Sequence, residues 1–198
     1  MVITPIVKRI FTEEESRDIL QFLKEKTIAY HRPYKRYNKI VKVPRGQASF
    51  TFNENIHYNY GRIAGGSPPN EVMCDRLKEI TQKVNEVMGR NYNTILMNVY
   101  KDNKDVFAAH QDNENGWVKE TGFATLAFGC ERPFVLQEIA TGERQKIIHK
   151  SGEIIEMPYP MNSYYTHAVP ACSKAIASEW RISLTFREIE SVKQKNIY

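Results

Sequence analysis

The 198-residue sequence has few cysteines and no CxxC pair among them. Cys74, Cys130 and Cys172 are odd in number and far apart, which argues against a disulfide framework and against a thiolate zinc site. Such sparse cysteine usage suits a reducing compartment best. We therefore expect a fold that is held together by a buried core and not by covalent bridges.

Long apolar runs are missing too, since no run of roughly eighteen apolar residues occurs anywhere in the chain. The opening residues, MVITPIVKRIF, contain no extended apolar segment with a small-residue cleavage site, so we expect no secretory leader. These absences predict a soluble intracellular protein with no membrane partner. Its expected subcellular location is the nucleus if the source is eukaryotic and otherwise the cytoplasm.

Internal repeats and low-complexity tracts are also absent, and the length suits one buried core better than two. We expect a single domain over residues 1–198. Within it, residues 1–93 would supply N-terminal helices and nucleotide-recognition hairpins, and residues 94–189 would form the catalytic β core.

Two segments of the first half have the pattern of helices. Thr12 and Glu15 form a capping box ahead of an apolar face, which predicts the first helix. The second apolar stripe has spacings of three and four, begins after SPPN with Val72, runs to Met88 and stops at Gly89. Both helices are expected to pack their apolar stripes on a sheet.

From residue 94 onward the pattern changes to short β-rich runs with turn signals such as DNKD, TGE and KSGE between them. This is typical of an antiparallel sandwich or double-sheet barrel, with the helices packed on the outside. The runs are TILMNVY, GFATLAFG, RPFVLQEI, QKIIHK, EIIEM, SYYTHAV and WRISLTFREI.

Positive charge is concentrated in one segment of the sequence. The chain has 28 basic and 23 acidic residues, a formal net charge of +5. Residues 31–47 contain six Lys or Arg and no acid, with Tyr34 and Tyr37 among them. Such a run is usually a solvated face, but it also suits a polyanionic partner.

A first candidate for chemistry is the pair His110 and Asp112 in FAAHQDNENGW. Residues two apart in a strand point the same way, so an imidazole and a carboxylate would meet at one point. An HxD pair alone is weak, because chance produces many. With His167 of SYYTHAVP as a third ligand, the set becomes the facial triad of non-haem iron(II) oxygenases, which leaves coordination positions open.

A second candidate is the pair of arginines in WRISLTFREI. The even spacing of Arg181 and Arg187 directs both to one strand face, together with Ser183 and Thr185. Inward arginines are costly unless anions meet them, and a dicarboxylate would supply two. The alternative is an edge strand whose arginines face water.

Asn98 and Tyr100 share a face of TILMNVY in the same way, although either could simply face water. In chain order, NxY, HxD, a distant His and RxxxxxR resemble the AlkB-like iron(II) and 2-oxoglutarate-dependent dioxygenases. The resemblance covers about residues 40–189 and is closest to the branch that demethylates double-stranded DNA.

This resemblance implies an α+β fold with a double-stranded β-helix, or jelly-roll, core. It implies that iron(II) is held by His110, Asp112 and His167. It further implies that the cosubstrate 2-oxoglutarate is held by Asn98, Tyr100, Arg181, Thr185 and Arg187. One departure is Ser183, which stands where many relatives carry Asn, so one contact to the cosubstrate is in question.

The implied activity is oxidative demethylation of N-alkylated bases in DNA, such as 1-methyladenine and 3-methylcytosine. It is coupled to decarboxylation of 2-oxoglutarate to succinate and CO2, and it releases formaldehyde. The expected partner is nucleic acid with its methylated base flipped out of the stack, bound by a monomer. By the same resemblance, the substrate contacts are Tyr37 as a wedge in the duplex, Arg45, Tyr58, Tyr60 and Glu114.

Other functions stay open at this stage. An RNA or tRNA demethylase or hydroxylase of the same superfamily would have the same iron and cosubstrate residues. A catalytically inactive nucleic-acid-binding module is disfavoured, because all three ligands and both arginines are present. A protein hydroxylase is disfavoured by the RxxxxxR spacing and by the basic segment with its tyrosines.

Overall fold

A computed structural model describes residues 4–26, 33–36, 39–42, 45–58, 70–172 and 179–190. Tyr37 and Tyr60, two of the expected substrate contacts, lie outside these ranges. The described helices and strands are β1 (Ile6–Arg9), α1 (Glu13–Lys26), β2 (Pro33–Arg36), β3 (Lys39–Lys42), β4 (Gly46–Thr51), β5 (Asn70–Val72), α2 (Asp75–Met88), β6 (Thr94–Tyr100), β7 (Phe107–His110), β8 (Phe123–Gly129), β9 (Arg132–Glu138), β10 (Arg144–His149), β11 (Glu153–Met157), α3 (Met161–Tyr164), β12 (Tyr165–Val169) and β13 (Arg181–Arg187).

The strands form two facing sheets and a separate hairpin. The larger sheet has the order β1-β11-β8-β13-β6-β4-β5, the smaller sheet has the order β10-β9-β12-β7, and β2 pairs with β3. All described pairings are antiparallel except that of β4 with β5. The predicted jelly-roll core is confirmed, and β1, β4 and β5 bring strands from the first 93 residues into its larger sheet.

The two faces of β13 separate the core from the cavity. Ile182, Leu184 and Phe186 are fully buried in a cluster that includes apolar residues of both α1 and α2, so the helices cover this face of the larger sheet. Burial of such large apolar side chains contributes roughly 1.5 to 3 kcal/mol each. The alternate residues of β13, beginning with Arg181 and ending with Arg187, line a cavity between the two sheets.

Both predicted helices are present. The backbone N–H of Thr12 donates to Glu15 Oε2 over 2.8 Å, and the N–H of Glu15 donates to Thr12 Oγ1 over 3.2 Å, which completes the capping box of α1. Helix α2 ends at Gly89, whose φ of 63° lies in the left-handed region that favours glycine.

The start of the second helix was predicted wrongly. Val72 belongs to β5, where it pairs with Thr51 of β4, and the N–H of Met73 donates to the Thr51 carbonyl oxygen. Helix α2 begins only at Asp75. The apolar spacing of the helix extends back to Val72 and Met73. The backbone of these residues hydrogen-bonds to β4, however, and is therefore not helical.

Cys74, Cys130 and Cys172 are all free cysteines, as their spacing predicts. Among the described residues, no helix combines the length and apolar character that crossing a membrane requires.

Candidate metal centre and cosubstrate pocket

Strand pairing brings the two distant histidines together. In the register of β12 and β7, His167 lies opposite His110, and Asp112 follows β7 by two residues. One ligand atom from each of the three side chains lies within 4.8 Å of the others. The HxD motif and the distant histidine therefore meet at one point, as the sequence predicts.

His110 is oriented for metal binding by its neighbours. Its Nδ1 lies 2.8 Å from the carbonyl oxygen of Ala108, which can only accept, so Nδ1 carries the hydrogen. Its ring stacks on Phe107 with centroids 3.8 Å apart. Within the described residues Nε2 has no hydrogen-bond partner, so its lone pair is left for a metal ion.

Asp112 divides its two oxygens between different partners. Oδ2 accepts hydrogen bonds from Nε of Arg187, at 3.1 Å, and from Nη2 of the same guanidinium. Oδ1 lies 3.3 Å from His110 Nε2 and 3.8 Å from His167 Nε2. Burial would raise the pKa of Asp112, but the charge of Arg187, and after it the neighbouring His110 and His167, hold this pKa well below its usual range.

His167 is almost fully buried, with 6% of its surface exposed. Burial lowers the pKa of His167 to about 3, with Asp112 opposing the shift and His110 and Arg187 adding to it. The imidazole is therefore neutral at physiological pH, which is the form that binds a metal. Two imidazoles and one carboxylate with converging ligand atoms fit a divalent iron site.

Arg181 occupies the same cavity as these three side chains and is 1% exposed. Its Nη2 donates to Nδ1 of His149 over 3.2 Å. In the part of the chain that the structure describes, its Nε and Nη1 make no hydrogen bond. Burial lowers the pKa of Arg181, while the nearby Tyr100 opposes this. A buried guanidinium with donors to spare is suited to an anionic ligand.

His149, the partner of Arg181, is a functional residue that no sequence pattern indicated. Its Nε2 lies 2.8 Å from the carbonyl oxygen of Glu153 and must donate to it, so Nδ1 is left to accept from Arg181. Burial and, next, the charge of Arg181 lower the pKa of His149 to about 3, against the hydrogen bond to Glu153. His149 is thus a neutral acceptor that orients a buried cation.

We expect His149 to make the unfolding free energy depend on pH. Between the ordinary value of 6.5 and about 3, the unfolded chain binds a proton at His149 that the folded protein does not. Stability is therefore lost as pH falls through this window, by roughly 1.4 kcal/mol per pH unit for this group. Urea unfolding of chelator-treated protein between neutral pH and mildly acidic pH should give a shallower acid loss for His149→Leu than for wild type. Parallel curves would contradict the assignment.

Polar residues of β13 and β6 line the same cavity as the metal ligands. Ser183 and Thr185 line the cavity between the two arginines of β13, and Asn98 and Tyr100 of β6 line it beside them. The Oδ1 atom of Asn98 accepts from Arg45 Nε at 2.8 Å and from a glutamine of β4 at 3.1 Å. Only the amide N–H groups of Asn98 therefore remain for a ligand.

Arg45 lies behind the metal site and is 5% exposed. Its guanidinium carbon is 3.4 Å from the centroid of the Phe107 ring, whose stacking partner is His110. A guanidinium and an imidazole cannot both fit so closely on one ring face, so Phe107 is held between Arg45 and His110. This arrangement, with the Arg45 bond to Asn98, ties the metal side of the cavity to the cosubstrate side.

Two further expected substrate residues have well-defined surroundings. Tyr58 is 2% exposed, and the Arg187 guanidinium lies 5.1 Å from its ring. Glu114 is partly exposed and accepts at Oε1 from Nδ2 of Asn162 over 2.7 Å. Glu114 also lines a cavity of about 280 Å³ together with Trp117 and the half-exposed Tyr159.

Arg132 is a second buried residue that sequence reasoning missed. Its guanidinium donates to the carbonyl oxygens of Asp102, Asp105 and Pro170 at 2.7 to 3.0 Å. The contacts to Asp102 and Asp105 fix the loop between β6 and β7, which leads directly into the strand that ends at His110. Nothing in ERPF, where Arg132 stands, distinguishes it in the sequence from a solvated charge.

A larger cleft, of about 440 Å³, lies between α1 and the turn that joins β8 and β9. Its lining mixes acids such as Glu13 and Glu131 with bases such as Arg17 and Lys24. Among the described residues, the three potential metal ligands line the cavity between the two sheets and not this larger cleft. The volume of a cavity therefore does not identify the reactive site.

The comparison with protein families agrees with this geometry. A family model described as the 2OG-Fe(II) oxygenase superfamily matches residues 4–187, and the chain belongs to this superfamily. The protein is therefore an enzyme of a class that uses iron(II) and 2-oxoglutarate, as predicted from the three ligands and the two arginines.

Curated relatives narrow the group to the AlkB-like oxygenases. The chain is 26% identical over 196 residues to human DNA oxidative demethylase ALKBH2, a match that covers 93% of this chain and 73% of that protein. It is 26% identical over 191 residues to bovine DNA oxidative demethylase ALKBH2, covering 91% of this chain and 66% of the relative. The predicted AlkB-like resemblance is confirmed.

Solved structures support the same fold. The structure of OsALKBH1 superposes with a TM-score of 0.64 at 14% identity, covering 95% of this chain and 99% of that one. At this identity the likeness concerns the fold alone. The jelly-roll architecture is thus shared although most side chains differ.

Proposed function

We propose that the protein oxidatively demethylates N-alkylated bases in DNA, such as 1-methyladenine and 3-methylcytosine. The observation that carries the proposal is the convergence of His110, Asp112 and His167 in one cavity with the buried Arg181. The two mammalian relatives compared above are DNA oxidative demethylases by name, which supports nucleic acid as the substrate class.

We assign iron(II) to His110 Nε2, Asp112 Oδ1 and His167. Arg181 would pair with the far carboxylate of 2-oxoglutarate, and Asn98, Tyr100 and Thr185 would complete its pocket. Arg187 holds Asp112 Oδ2 and so directs Oδ1 toward the metal. When bound, iron(II) with 2-oxoglutarate and dioxygen supplies oxidation of the N-methyl carbon, giving succinate, CO2 and a hydroxymethyl group that leaves as formaldehyde.

On the substrate side, we assign Glu114 to the edge of the methylated base. A carboxylate suits bases such as 1-methyladenine that carry positive charge, and the aromatic Trp117 and Tyr159 line the cavity beside it. The basic residues 31–47 would hold phosphates of the backbone, with no sequence preference. We keep Tyr60 as the residue that stacks on the flipped base and Tyr37 as the duplex wedge.

Two further parts of this proposal concern assembly and domain organisation. We propose that a monomer suffices, because the ligand set and Arg181 all come from one chain. Residues 1–93 would contribute substrate recognition, and residues 94–189 the metal and cosubstrate side chains.

A direct test is incubation of the purified protein with iron(II), ascorbate, 2-oxoglutarate and air. The substrates are methylated DNA and RNA oligonucleotides of matched sequence, each single and double stranded. Mass spectrometry should show loss of the methyl group from 1-methyladenine and 3-methylcytosine in DNA, with duplex accepted, and formaldehyde in equal amount.

Other outcomes of this experiment are equally informative. Demethylation of RNA in preference to DNA would replace the proposal by an RNA or tRNA demethylase. Binding without any turnover in iron-loaded protein would indicate an inactive nucleic-acid-binding module. Succinate formation without a demethylated product would show that the oxygenase acts on another class of substrate.

A further inference from the structure

Asn162 makes an unusually complete set of hydrogen bonds at the edge of the metal site. Its Oδ1 accepts from the backbone N–H of Asp112 over 3.0 Å, and its Nδ2 donates to the Asp112 carbonyl oxygen over 3.0 Å. The same Nδ2 donates to Glu114 Oε1 over 2.7 Å. The backbone carbonyl of Asn162 accepts from the side chain of Gln111.

These contacts fix the orientation of the Asn162 amide. With the two ends exchanged, Oδ1 would face the Asp112 carbonyl and the Glu114 carboxylate, and Nδ2 would face the Asp112 N–H. Both hydrogens of Nδ2 are already used, one on each side. The side chain is 6% exposed, so water does not readily replace it as a donor.

One consequence concerns the carboxylate of Glu114. Glu114 is only partly buried, and a partly exposed carboxylate on the loop between β7 and β8 can adopt several rotamers. The bond from Asn162 holds Oε1 and leaves Oε2 to meet a ligand. Because Asn162 is also bonded to the backbone of Asp112, the direction of Glu114 is set relative to the metal ligand itself.

We propose that Asn162 is a positioning residue that aims Glu114 and thereby sets the preference for cationic methylated bases over neutral ones. This inference rests on the proposed function, since it assumes that Glu114 faces the base. Asn162 itself touches neither the metal nor the substrate in this assignment. It acts through one charge-assisted hydrogen bond, whose loss allows the carboxylate to turn away from the base.

The test uses two duplex oligonucleotides that carry either 1-methyladenine, which is cationic, or 3-methylthymine, which is neutral. In Asn162→Ala, the ratio of kcat/KM for the two should fall about tenfold, as expected for one lost charge-assisted hydrogen bond. Glu114→Ala should lose the same preference. If Asn162 acts through Glu114, the double variant should lose no more than Glu114→Ala alone.

Two further measurements separate aiming from support of the fold. Succinate formation without DNA should stay within about twofold of wild type in Asn162→Ala, because the metal ligands remain. Fluorescence anisotropy with manganese-loaded protein, which does not turn over, should show the same loss of binding preference. Asn115→Ala is the matched control: it removes the same side chain at an exposed position next to Glu114, and the preference should be unchanged.

If Asn162→Ala folds poorly, Asn162→Asp serves instead, since it keeps the acceptor for the Asp112 N–H and removes the donor to Glu114. An unchanged preference in a folded Asn162 variant would overturn the inference. So would equal losses on both oligonucleotides together with lower succinate formation, which would assign Asn162 to the Asp112 backbone alone. Wild-type protein that demethylates neither oligonucleotide would overturn the proposed function, and this inference with it.

Discussion

His110→Ala is expected to reduce 2-oxoglutarate turnover at least about a hundredfold, more than loss of an outer partner of a metal ligand costs. The variant removes Nε2, one of the three converging ligand atoms. The fold should survive, because the side chain is 21% exposed and Phe107 keeps its contact with Arg45. Succinate formation and calorimetric titration with iron(II) under argon would measure turnover and metal affinity separately.

His57→Ala provides the matched control, since His57 is exposed and distant in sequence from the ligands. It should retain both turnover and metal affinity. Full activity of His110→Ala with iron(II), ascorbate and 2-oxoglutarate would reject His110 as a ligand.

Asp112→Ala should lose turnover as well, and its unfolding free energy should fall by about 3 to 5 kcal/mol, because Arg187 would stay buried without that carboxylate.

Arg181→Ala is expected to raise the KM for 2-oxoglutarate by roughly a hundredfold, equivalent to one or two hydrogen bonds between charged groups. The donors Nε and Nη1 make no hydrogen bond within the described residues, and burial makes an uncompensated cation costly. Calorimetry with 2-oxoglutarate on manganese-loaded protein would show the loss as weaker binding, without depending on turnover.

Arg144→Ala removes an exposed arginine of β10 and should leave 2-oxoglutarate binding unchanged. The contrast separates a specific contact from the effect of net charge. Unaltered affinity in Arg181→Ala would show that Arg181 serves the sheet and not the cosubstrate.

Local patterns in the sequence predicted a large part of the molecule. The capping box at Thr12 and the stop at Gly89 are properties of a few consecutive residues, so short-range chemistry determines them. The alternation in β13 is equally local: a strand must send Arg181 and Arg187 to the face opposite Phe186. The HxD pair and the family resemblance added the ligand set before any contact was known.

Local sequence patterns could not predict the contacts between distant segments. Val72 continues a helical pattern, but it joins β5 because β4 lies beside it. The roles of His149, Asn162 and Arg132 depend on what each faces across the fold, namely Arg181, Glu114 and three loop carbonyls.

By itself, then, the sequence determined which residues can bind a metal and an anion and on which face of each strand they stand, because periodicity and residue chemistry are local. The tertiary structure alone decided that His167 lies opposite His110 and that Arg187 holds one oxygen of Asp112. The physical reason is that strand order and register arise from burial of the whole core, and only then do polar side chains far apart in the chain come within hydrogen-bonding distance.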